Sequence, residues 1–230
     1  MNSERVIIVG GGVIGLSSAY YALKRGFAVT VIDRGGDNCS TGNAGMVVPS
    51  HFIPLAAPGM IAKGLRMMLN PESPFFIRPR LDAGLMRWGW LFYRNSTERH
   101  VAATRELLRD LNLESRRLFG ELSNEGDFGL AQRGLLMLCK TDKGLLEEAE
   151  VAEAAHAIGL EAKVLDVAET AKLDPDITMN VAGSVHFPQD CHLDPARFLR
   201  MLRHRVQELG GVIENAVIDT IETRGGKVVA

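Results

Sequence analysis

The sequence predicts an α/β fold: a three-layer domain built on a parallel sheet, into which a mixed α+β domain is inserted. The first observation is the run of β-branched residues 6–9, because a strand without polar positions is typical of a parallel sheet covered on both faces. The second is a similar apolar run, residues 28–32, one helix length further on. The third is the helix start Asp194-Pro195, which leads to a short parallel-type strand at residues 212–214.

These observations divide the chain in three. Residues 1–50 and 194–230 are assigned to the layered domain, and residues 51–193 to the inserted one. The chain stops within an apparent strand at residues 227–230, from which we expect a fragment of a longer protein with an incomplete sheet.

Three glycines separate the first strand from the helix that follows it. Gly10, Gly12 and Gly15 have the G-x-G-x-x-G spacing. In this motif the first glycine forms the tight turn, the second lets the backbone approach a pyrophosphate, and the third brings the helix against the strand. The helix is expected from Val13 to Arg25, and its N-terminal amides favour an anionic ligand. The turn therefore predicts a dinucleotide site.

An acid ends the second strand. Asp33 follows Gly15 at about the spacing where an acid accepts the hydroxyls of an adenosine ribose. The alternative interpretation is a glycine-rich turn in an ordinary α/β domain, with Asp33 as a solvated strand end. Strand, turn, helix and second strand all occur in the required order, which favours the dinucleotide site.

The segment after the second strand is uncharged and rich in small residues. Residues 39–51 are predicted to form neither strand nor helix. A loop this apolar is costly to leave in water, and a buried loop needs partners for its amides. Packing against a large cofactor solves both problems, since amides near Ser40, Thr41 and residues 44–46 can bind its phosphates and ring.

The inserted segment alternates helices and strands. Two helices are expected within residues 81–126, the first capped by Asp82 and the second starting at Ser96 or Thr97. The aromatic cluster of the first helix (Trp88, Trp90, Phe92 and Tyr93) fits core packing better than a cofactor base or a membrane anchor. Further elements are expected in chain order: a strand at 134–138, a helix capped by Asp142 and running to Ile158, a strand at 163–165, a brief helix with an Asp166–Glu169 capping box, a strand at 183–187, a polar turn at 188–193, and a meander beginning at 217–221.

Composition excludes several classes of protein. The chain has 26 basic and 28 acidic residues, so the sequence shows no excess of positive charge for binding nucleic acid. Three cysteines fit reduced thiols in a cytosolic chain, and no signal peptide is evident. The longest stretch without charge, residues 38–62, contains three prolines and is not predicted to span a membrane.

Several motifs resemble one known family. Asp33-Arg34, the loop at residues 40–46 and the Pro-Leu-Ala-Ala-Pro-Gly segment at 54–59 resemble the D-amino acid dehydrogenases. These belong to the wider FAD-dependent amine oxidoreductases, which include glycine oxidase and D-amino acid oxidase. The resemblance continues at 87–95, 133–136 and 183–190 and covers essentially the whole chain.

The resemblance implies FAD as cofactor and a Rossmann-like FAD-binding domain with an inserted substrate domain. It implies FAD contacts in the glycine turn, at the ribose, along the loop and near the adenine: Val13, Ile14, Asp33, Arg34, Ser40, Thr41, Asn43, Ala44, Gly45, Met46 and Val217. The implied reaction oxidises an amino acid, most simply of D configuration, by hydride transfer from Cα to the flavin. The resulting imino acid hydrolyses to a 2-oxo acid and ammonia. No residue of the chain is assigned to catalysis or to binding the substrate carboxylate.

Departures from the family pattern leave alternatives open. Leu193-Asp194-Pro195 is closer to the glycine oxidases than to the dehydrogenases, so a glycine- or sarcosine-type oxidase using oxygen is one alternative. A flavin-binding protein without activity is another. An NAD-dependent dehydrogenase shares the glycine turn, but this class of enzyme does not explain the apolar segment at 40–58. The electron acceptor, quinone or oxygen, stays open, and the expected location is cytoplasmic or peripheral on the inner membrane.

Other candidate sites are weaker. Asp190-Cys191-His192 lacks a second ligand pair at metal spacing, so no metal is expected. His51 follows the flavin-type loop, but a lone histidine is more often structural. Cys39 lies beside the expected phosphate loop without a partner thiol in the sequence pattern.

Overall fold

The structure, a computed structural model, describes residues 4–36, 39–73, 75–78, 80–225 and 227–228. In chain order its elements are β1 (Arg5–Val9), α1 (Val13–Lys24), β2 (Ala28–Asp33), β3 (Met46–Val47), α2 (Met60–Met68), α3 (Ala83–Asn95), α4 (Glu98–Leu122), β4 (Leu135–Cys139), α5 (Asp142–His156), β5 (Lys163–Leu165), α6 (Val167–Leu173), β6 (Gly183–Phe187), β7 (Cys191–His192), α7 (Pro195–Glu208), β8 (Val212–Asn215), β9 (Thr223–Arg224) and β10 (Lys227–Val228). The α/β class is confirmed.

The chain divides into two compact units. Unit 1 comprises residues 1–46, 118–131 and 192–230, and unit 2 comprises residues 47–117 and 132–191. The boundaries expected from sequence lie at residues 50/51 and 193/194. Unit 1 also contains residues 118–131, which the sequence analysis placed in the inserted domain. Assignment of the units to cofactor and substrate binding stays a prediction.

Unit 1 is built on a three-stranded parallel sheet in the order β1-β2-β8. The register pairs Val9 with Ile32 and Ile32 with Glu214, so the carboxyl ends of the strands lie side by side. This arrangement confirms the parallel strands predicted at both ends of the chain. It also places the glycine turn and Asp33 at the same edge of the sheet, where α/β folds bind ligands.

Two helices carry the apolar side chains of unit 1. On α1, Leu16 and Ala19 are buried, and on α7, Leu202 and Val206 are buried. The side chains of Phe119 and Phe128 pack on Phe198 of α7, with ring centroids 5.0 and 4.9 Å from it. Gly15 lets α1 lie against the strand, because a Cβ there would stand 1.8 Å from the carbonyl oxygen of Gly10.

Unit 2 is built on an antiparallel sheet in the order β4-β6-β5. α5 packs against this sheet, and the capping box Asp166–Glu169 starts α6 as predicted. The core of the unit gathers buried side chains from the sheet, from α5 and from the segments that flank them: Phe52, Ala152, Ala155, Ile158, Leu160, Ala162, Val185 and Phe187.

Four expectations about elements were wrong. The loop at 39–51 contains β3 and the polar turn at 188–193 contains β7, and these two-residue strands pair with each other. Strands this short depend on a distant partner, which local sequence does not reveal. The helix cap is Thr141 rather than Asp142, since the Thr141 hydroxyl accepts from the amide of Gly144 at 3.1 Å. Residues 217–221 form no strand, because the two-stranded ladder lies further on, in β9 and β10.

The aromatic helix was also misjudged. Within α3, all of which the structure describes, no residue is buried. Trp88, Trp90 and Tyr93 are 49%, 58% and 69% exposed, so they do not form a core. In the same region α2 was not predicted. Asp82 caps α3 as expected, accepting from the amide of Leu85. No helix among the described residues combines the length and apolarity needed to cross a bilayer.

Candidate cofactor site

The glycine turn lies between β1 and the first turn of α1. Gly10 has φ +103°, a left-handed conformation suited to glycine, and its amide donates to the carbonyl of Ile32 at 2.8 Å. Gly12 is the N-cap of α1 and has no side chain to offer, and the first turn contains no acid. The positive end of the helix therefore has no anionic side chain in its own first turn, as expected where a ligand supplies the negative charge.

Asp33 ends β2 beside this turn. Its Oδ2 accepts from the amide of Gly11, and its Oδ1 accepts from the amide of Gly35 at 2.8 Å. The hydrogen bond from Gly11 contributes most to lowering the pKa of Asp33, although partial burial opposes it. The positive charges of Arg203 and Arg34 act in the same direction as Gly11. Asp33 is therefore an ionised acceptor fixed against the glycine turn.

Ser40 brings the apolar loop to the same place. Its hydroxyl accepts from the amide of Val13 at 3.1 Å, and a Cβ on Gly12 would stand 3.0 Å from its oxygen. Further along the loop, Asn43 accepts from the amide of Gly45 at 2.6 Å, and the amide of Leu193 donates to the carbonyl of Gly45 at 2.9 Å. The loop is thus held at both ends within unit 1.

The last predicted contact comes from the far end of the chain. The amide of Ala216 donates to the carbonyl of Asp33 at 3.1 Å, which places Val217 directly after a residue bound to Asp33. Val217 is 67% exposed. The remaining predicted residues lie exposed along the turn and the loop: Ile14, Arg34, Thr41, Ala44 and Met46. All the predicted cofactor residues belong to unit 1.

Two residues of the site were missed. With its side-chain nitrogen turned toward the main chain, Asn215 donates to the carbonyls of Asp33 at 3.3 Å and Arg34 at 3.1 Å. Arg203 of α7 contributes positive charge near Asp33. Both approach from segments far away in sequence, so no local motif marks them. Asn215 was discoverable only as the residue that ends the third parallel strand.

Unit 2 contains a second polar cluster. Asp190 is completely buried, and its carboxylate accepts from the Ser50 amide at 3.0 Å and the Ser50 hydroxyl at 2.5 Å. The Ser50 oxygen lies 3.1 Å from Nδ1 of His51. Burial raises the pKa of Asp190 and is the largest contribution. The Ser50 hydrogen bonds and the positive charges of His51 and Arg116 lower the pKa and oppose this effect. The cluster anchors the chain just after the apolar loop.

The candidate metal and thiol residues are placed as follows: Cys39 is exposed, whereas the other two cysteines are buried. The described residues contain no group of three or more His, Cys, Asp or Glu side chains arranged to hold a metal ion. Cys139 and Cys191 are buried, and burial raises the pKa of both thiols.

The residues present fit a dinucleotide. A helix N-terminus without its own anion, a glycine at the N-cap and an ionised carboxylate at the neighbouring strand end provide positions for a diphosphate and a ribose. The neutral loop starting at Ser40 adds hydroxyls and amides around the same turn. These donors and acceptors fit the diphosphate and the adenosine ribose that FAD contains.

Comparison with known proteins agrees with this fit. Residues 5–230 match the family described as FAD dependent oxidoreductase. The chain is 33% identical over 237 residues to D-amino acid dehydrogenase of Granulibacter bethesdensis, covering 98% of this chain and 56% of that protein. It is 32% identical over 233 residues to D-amino acid dehydrogenase of Allorhizobium ampelinum, covering 97% and 55%. The chain therefore spans about half the length of these curated relatives.

Solved structures share the fold. Glycine oxidase from Geobacillus kaustophilus superposes with a TM-score of 0.67 at 20% identity, covering 96% of this chain and 49% of that one. L-proline dehydrogenase from P. horikoshii gives a TM-score of 0.63 at 20% identity, covering 98% and 47%. At this level of identity the likeness concerns the fold alone.

Proposed function

Because the chain belongs to the FAD dependent oxidoreductase family, we propose that the protein binds FAD at the glycine turn and oxidises the Cα–N bond of a D-amino acid. The observation that carries this proposal is the convergence of the predicted cofactor residues in unit 1, around the start of α1 and Asp33. The two D-amino acid dehydrogenases match along almost the whole chain, which supports the choice of substrate.

Each part of the turn has a proposed role. The N-terminal amides of α1 would bind the diphosphate, with Gly12 leaving room for its close approach. Asp33 would accept the ribose hydroxyls, which its two oxygens can do while they keep their hydrogen bonds to Gly11 and Gly35. Val217 would lie near the adenine. The amides and hydroxyls of residues 40–46 would contact the diphosphate and the ring.

The chemistry divides between cofactor and protein. FAD, when bound, supplies the acceptor for the hydride that leaves Cα. The protein must hold the amino acid in reacting orientation and keep its amine neutral, and hydrolysis of the imino acid then gives a 2-oxo acid and ammonia. No residue is assigned to holding the substrate. His51 is the candidate proton acceptor closest in sequence to the loop, and Ser50 orients its ring through Nδ1.

The electron acceptor is part of the proposal. Relatives by sequence are named dehydrogenases, whereas the glycine oxidase shares only the fold, so we favour an acceptor other than oxygen. A lipid-soluble quinone would fulfil this role and would require peripheral association with the inner membrane. A glycine- or sarcosine-type oxidase that uses oxygen is the alternative, favoured by the Leu193-Asp194-Pro195 segment.

A substrate panel tests the activity. The purified protein with FAD is given D-alanine, L-alanine, glycine or sarcosine, once with a redox dye as acceptor and once with oxygen alone. We expect dye reduction and 2-oxo acid formation with the D-amino acid, and little oxygen uptake. Oxygen uptake with glycine or sarcosine would identify the oxidase instead. FAD binding without turnover of any substrate would indicate a flavin-binding protein without this activity.

A further inference from the structure

Three polar side chains of unit 2 form a short chain of hydrogen bonds. Asp190 is completely buried and Ser50 is 7% exposed, and His51 follows Ser50 in the sequence. The Ser50 oxygen lies 2.5 Å from Oδ2 of Asp190 and 3.1 Å from Nδ1 of His51. A carboxylate at this depth has an unfavourable free energy of burial even when it is hydrogen-bonded. Its connection to an imidazole indicates a role for its charge beyond filling space.

The main chain fixes one end of this arrangement. The Ser50 amide donates to Oδ1 of Asp190 at 3.0 Å, and an amide N–H can only donate. Ser50 therefore binds both oxygens of the carboxylate, and its side chain is held beside Asp190. The Ser50 hydroxyl has a single proton, which it donates either to Oδ2 of Asp190 or to Nδ1 of His51. The direction of that donation decides whether Nδ1 of His51 carries a proton or a lone pair.

The charge of Asp190 selects the direction. An ionised carboxylate can only accept, so the Ser50 hydroxyl donates to Oδ2 and accepts from a proton on Nδ1 of His51. The neutral imidazole then has its lone pair on Nε2. If Asp190 is protonated, its own proton goes to the Ser50 oxygen and the hydroxyl donates to Nδ1. The neutral ring of His51 then carries its proton on Nε2 instead.

We propose that ionised Asp190 is a positioning residue, which acts through Ser50 to keep the lone pair of neutral His51 on Nε2. In this tautomer Nε2 accepts a proton from the ammonium group of the amino acid. One N–H bond of the ammonium breaks, the Nε2–H bond forms, and the amine is left neutral for oxidation. The proposal deepens the role proposed for His51 and rests on the proposed function for the source of that proton alone.

Charged groups from three elements surround the cluster. Burial raises the pKa of Asp190, whereas the Ser50 hydrogen bonds and the positive charges of His51 and of Arg116 on α4 lower it. Burial raises the pKa of Glu148 on α5, and the positive charge of His51 lowers it. Burial and the charge of Asp190 raise the pKa of the Cys191 thiol on β7. Because Coulombic attraction is mutual, the carboxylates of Asp190 and Glu148 stabilise His51 once Nε2 has accepted a proton.

A purely structural role for Asp190 is the alternative, and asparagine separates the two. In Asp190→Asn the side-chain oxygen still accepts from the Ser50 amide, and the side-chain amide donates to the Ser50 oxygen. Both hydrogen bonds that anchor Ser50 are kept, so a structural role is preserved. The Ser50 hydroxyl must now donate to Nδ1 of His51, which reverses the tautomer.

Nitrogen NMR tests the tautomer without substrate or turnover. The purified protein is isotopically labelled at the histidine ring nitrogens and measured at about pH 8.5, roughly two units above the ordinary histidine pKa of about 6.5. The signals of His51 are those missing from His51→Gln. We expect a proton on Nδ1 and a lone pair on Nε2 in the parent, and the reverse in Asp190→Asn. A proton on Nε2 in the parent, or one tautomer shared by both proteins, would overturn the proposal.

Two controls locate the effect in this cluster. In a Ser50→Ala background the connecting hydroxyl is absent, so Asp190→Asn should leave the His51 signals unchanged. His156 of α5, whose Nε2 lies 2.8 Å from the carbonyl oxygen of Ala162, is the internal control in the same unit. Its signals should be the same in every variant. A His51 tautomer that still responds to Asp190→Asn without the Ser50 hydroxyl would contradict transmission through Ser50.

The pH dependence of turnover tests the proton transfer. Reduction of a redox dye with D-alanine gives kcat/KM, which should fall by about a hundredfold in Asp190→Asn and in His51→Gln, the lower end of what a general base contributes. The loss should shrink as the pH rises, because the free amino acid then loses its ammonium proton to water. The flavin content of both variants should equal that of the parent. A loss that is constant with pH would indicate a structural role and overturn the proposal.

The two measurements separate this inference from the proposed function. The expected tautomers without turnover of any substrate would refute the proposed activity and support the link between Asp190 and His51. Normal turnover with a tautomer that does not reverse in Asp190→Asn would refute the link and support the activity.

Discussion

At the scale of single residues, Asp33 links the fold to the proposed ligand. Its carboxylate binds the amide of Gly11 and the amide of Gly35, so one side chain joins two turns at the edge of the sheet. The same hydrogen bonds and the charge of Arg203 keep it ionised. An ionised carboxylate is a stronger acceptor for hydroxyls than a neutral group.

Replacement of Asp33 by alanine should weaken FAD binding by about tenfold to a hundredfold. The change removes the charged acceptor of the ribose hydroxyls, a total loss of about 1.5–3 kcal/mol. Fluorescence titration of the apoprotein with FAD measures the dissociation constant. Asp33→Glu, which keeps the charge, is the matched control and should bind more tightly than Asp33→Ala. An unchanged dissociation constant in Asp33→Ala would contradict a role of Asp33 in binding FAD.

Replacement of Gly12 by valine should abolish FAD binding while the protein stays folded. A Cβ at this position already stands 3.0 Å from the Ser40 hydroxyl, and the valine methyl groups would fill the space for the diphosphate. The absorbance of flavin per protein, alongside circular dichroism, measures both effects. Gly120→Ala serves as control, because Gly120 lies in α4 outside the cofactor turn and loop and no atom lies within 4 Å of its added Cβ. Normal flavin content in Gly12→Val would refute the assignment of this turn.

The residues predicted for the candidate site and the two that were not predicted differ in how far apart they lie along the chain. Gly10, Gly12 and Asp33 act through backbone geometry within one β-α-β segment, so their spacing alone predicts their place. Asn215 and Arg203 act across long separations in the chain. Their contribution depends on where β8 and α7 dock, which only the folded chain reveals.

At the scale of elements, the buried cluster of Asp190 and Ser50 holds the segment after the apolar loop. Burial raises the pKa of Asp190, so the folded state binds a proton more tightly than the unfolded state. The stability that this proton contributes is fully present below the ordinary carboxyl pKa. It is lost as pH rises through the raised pKa of the folded protein.

Asp190→Asn should therefore gain stability relative to the parent as pH rises. Asparagine does not ionise. Above the ordinary carboxyl pKa of about 3.9, the folded variant therefore avoids the unfavourable free energy of burying an ionised carboxylate. Thermal melting of both proteins between about pH 4 and pH 7 checks this prediction. The melting temperature of Asp190→Asn minus that of the parent should increase as the pH rises across that range. A difference that is constant with pH would show that Asp190 does not titrate with a raised pKa.

Elements with strong internal patterns were predicted well, and those that depend on partners were not. β1 and β2 carry the apolar runs, and their parallel pairing follows from the helix between them. The expected cover on both faces is not found in β1, where Ile7 and Val9 are each 57% exposed. The pairs β3–β7 and β9–β10 consist of two-residue strands whose existence depends on a partner. For α3, apolar content was visible in the sequence, but exposure depends on which neighbours cover the helix.

At the scale of the whole molecule, the residues discussed for the proposed function are distributed over both units. Unit 1 contains the predicted cofactor residues, and unit 2 contains the Asp190 cluster and His51. The boundaries expected from sequence, at residues 50 and 194, depend on the glycine turn and on the Asp194-Pro195 helix start. Residues 118–131 belong to unit 1, where Phe119 and Phe128 pack on Phe198.

The central claim is that this protein uses bound FAD to oxidise a D-amino acid. Anaerobic mixing tests it most directly: the FAD-loaded protein is given D-alanine in the absence of oxygen or any other acceptor, and the flavin absorbance is followed. We expect D-alanine to bleach the flavin absorbance and the absorbance to persist with L-alanine at the same concentration. FAD that stays bound and fully oxidised with every D-amino acid tested would contradict it.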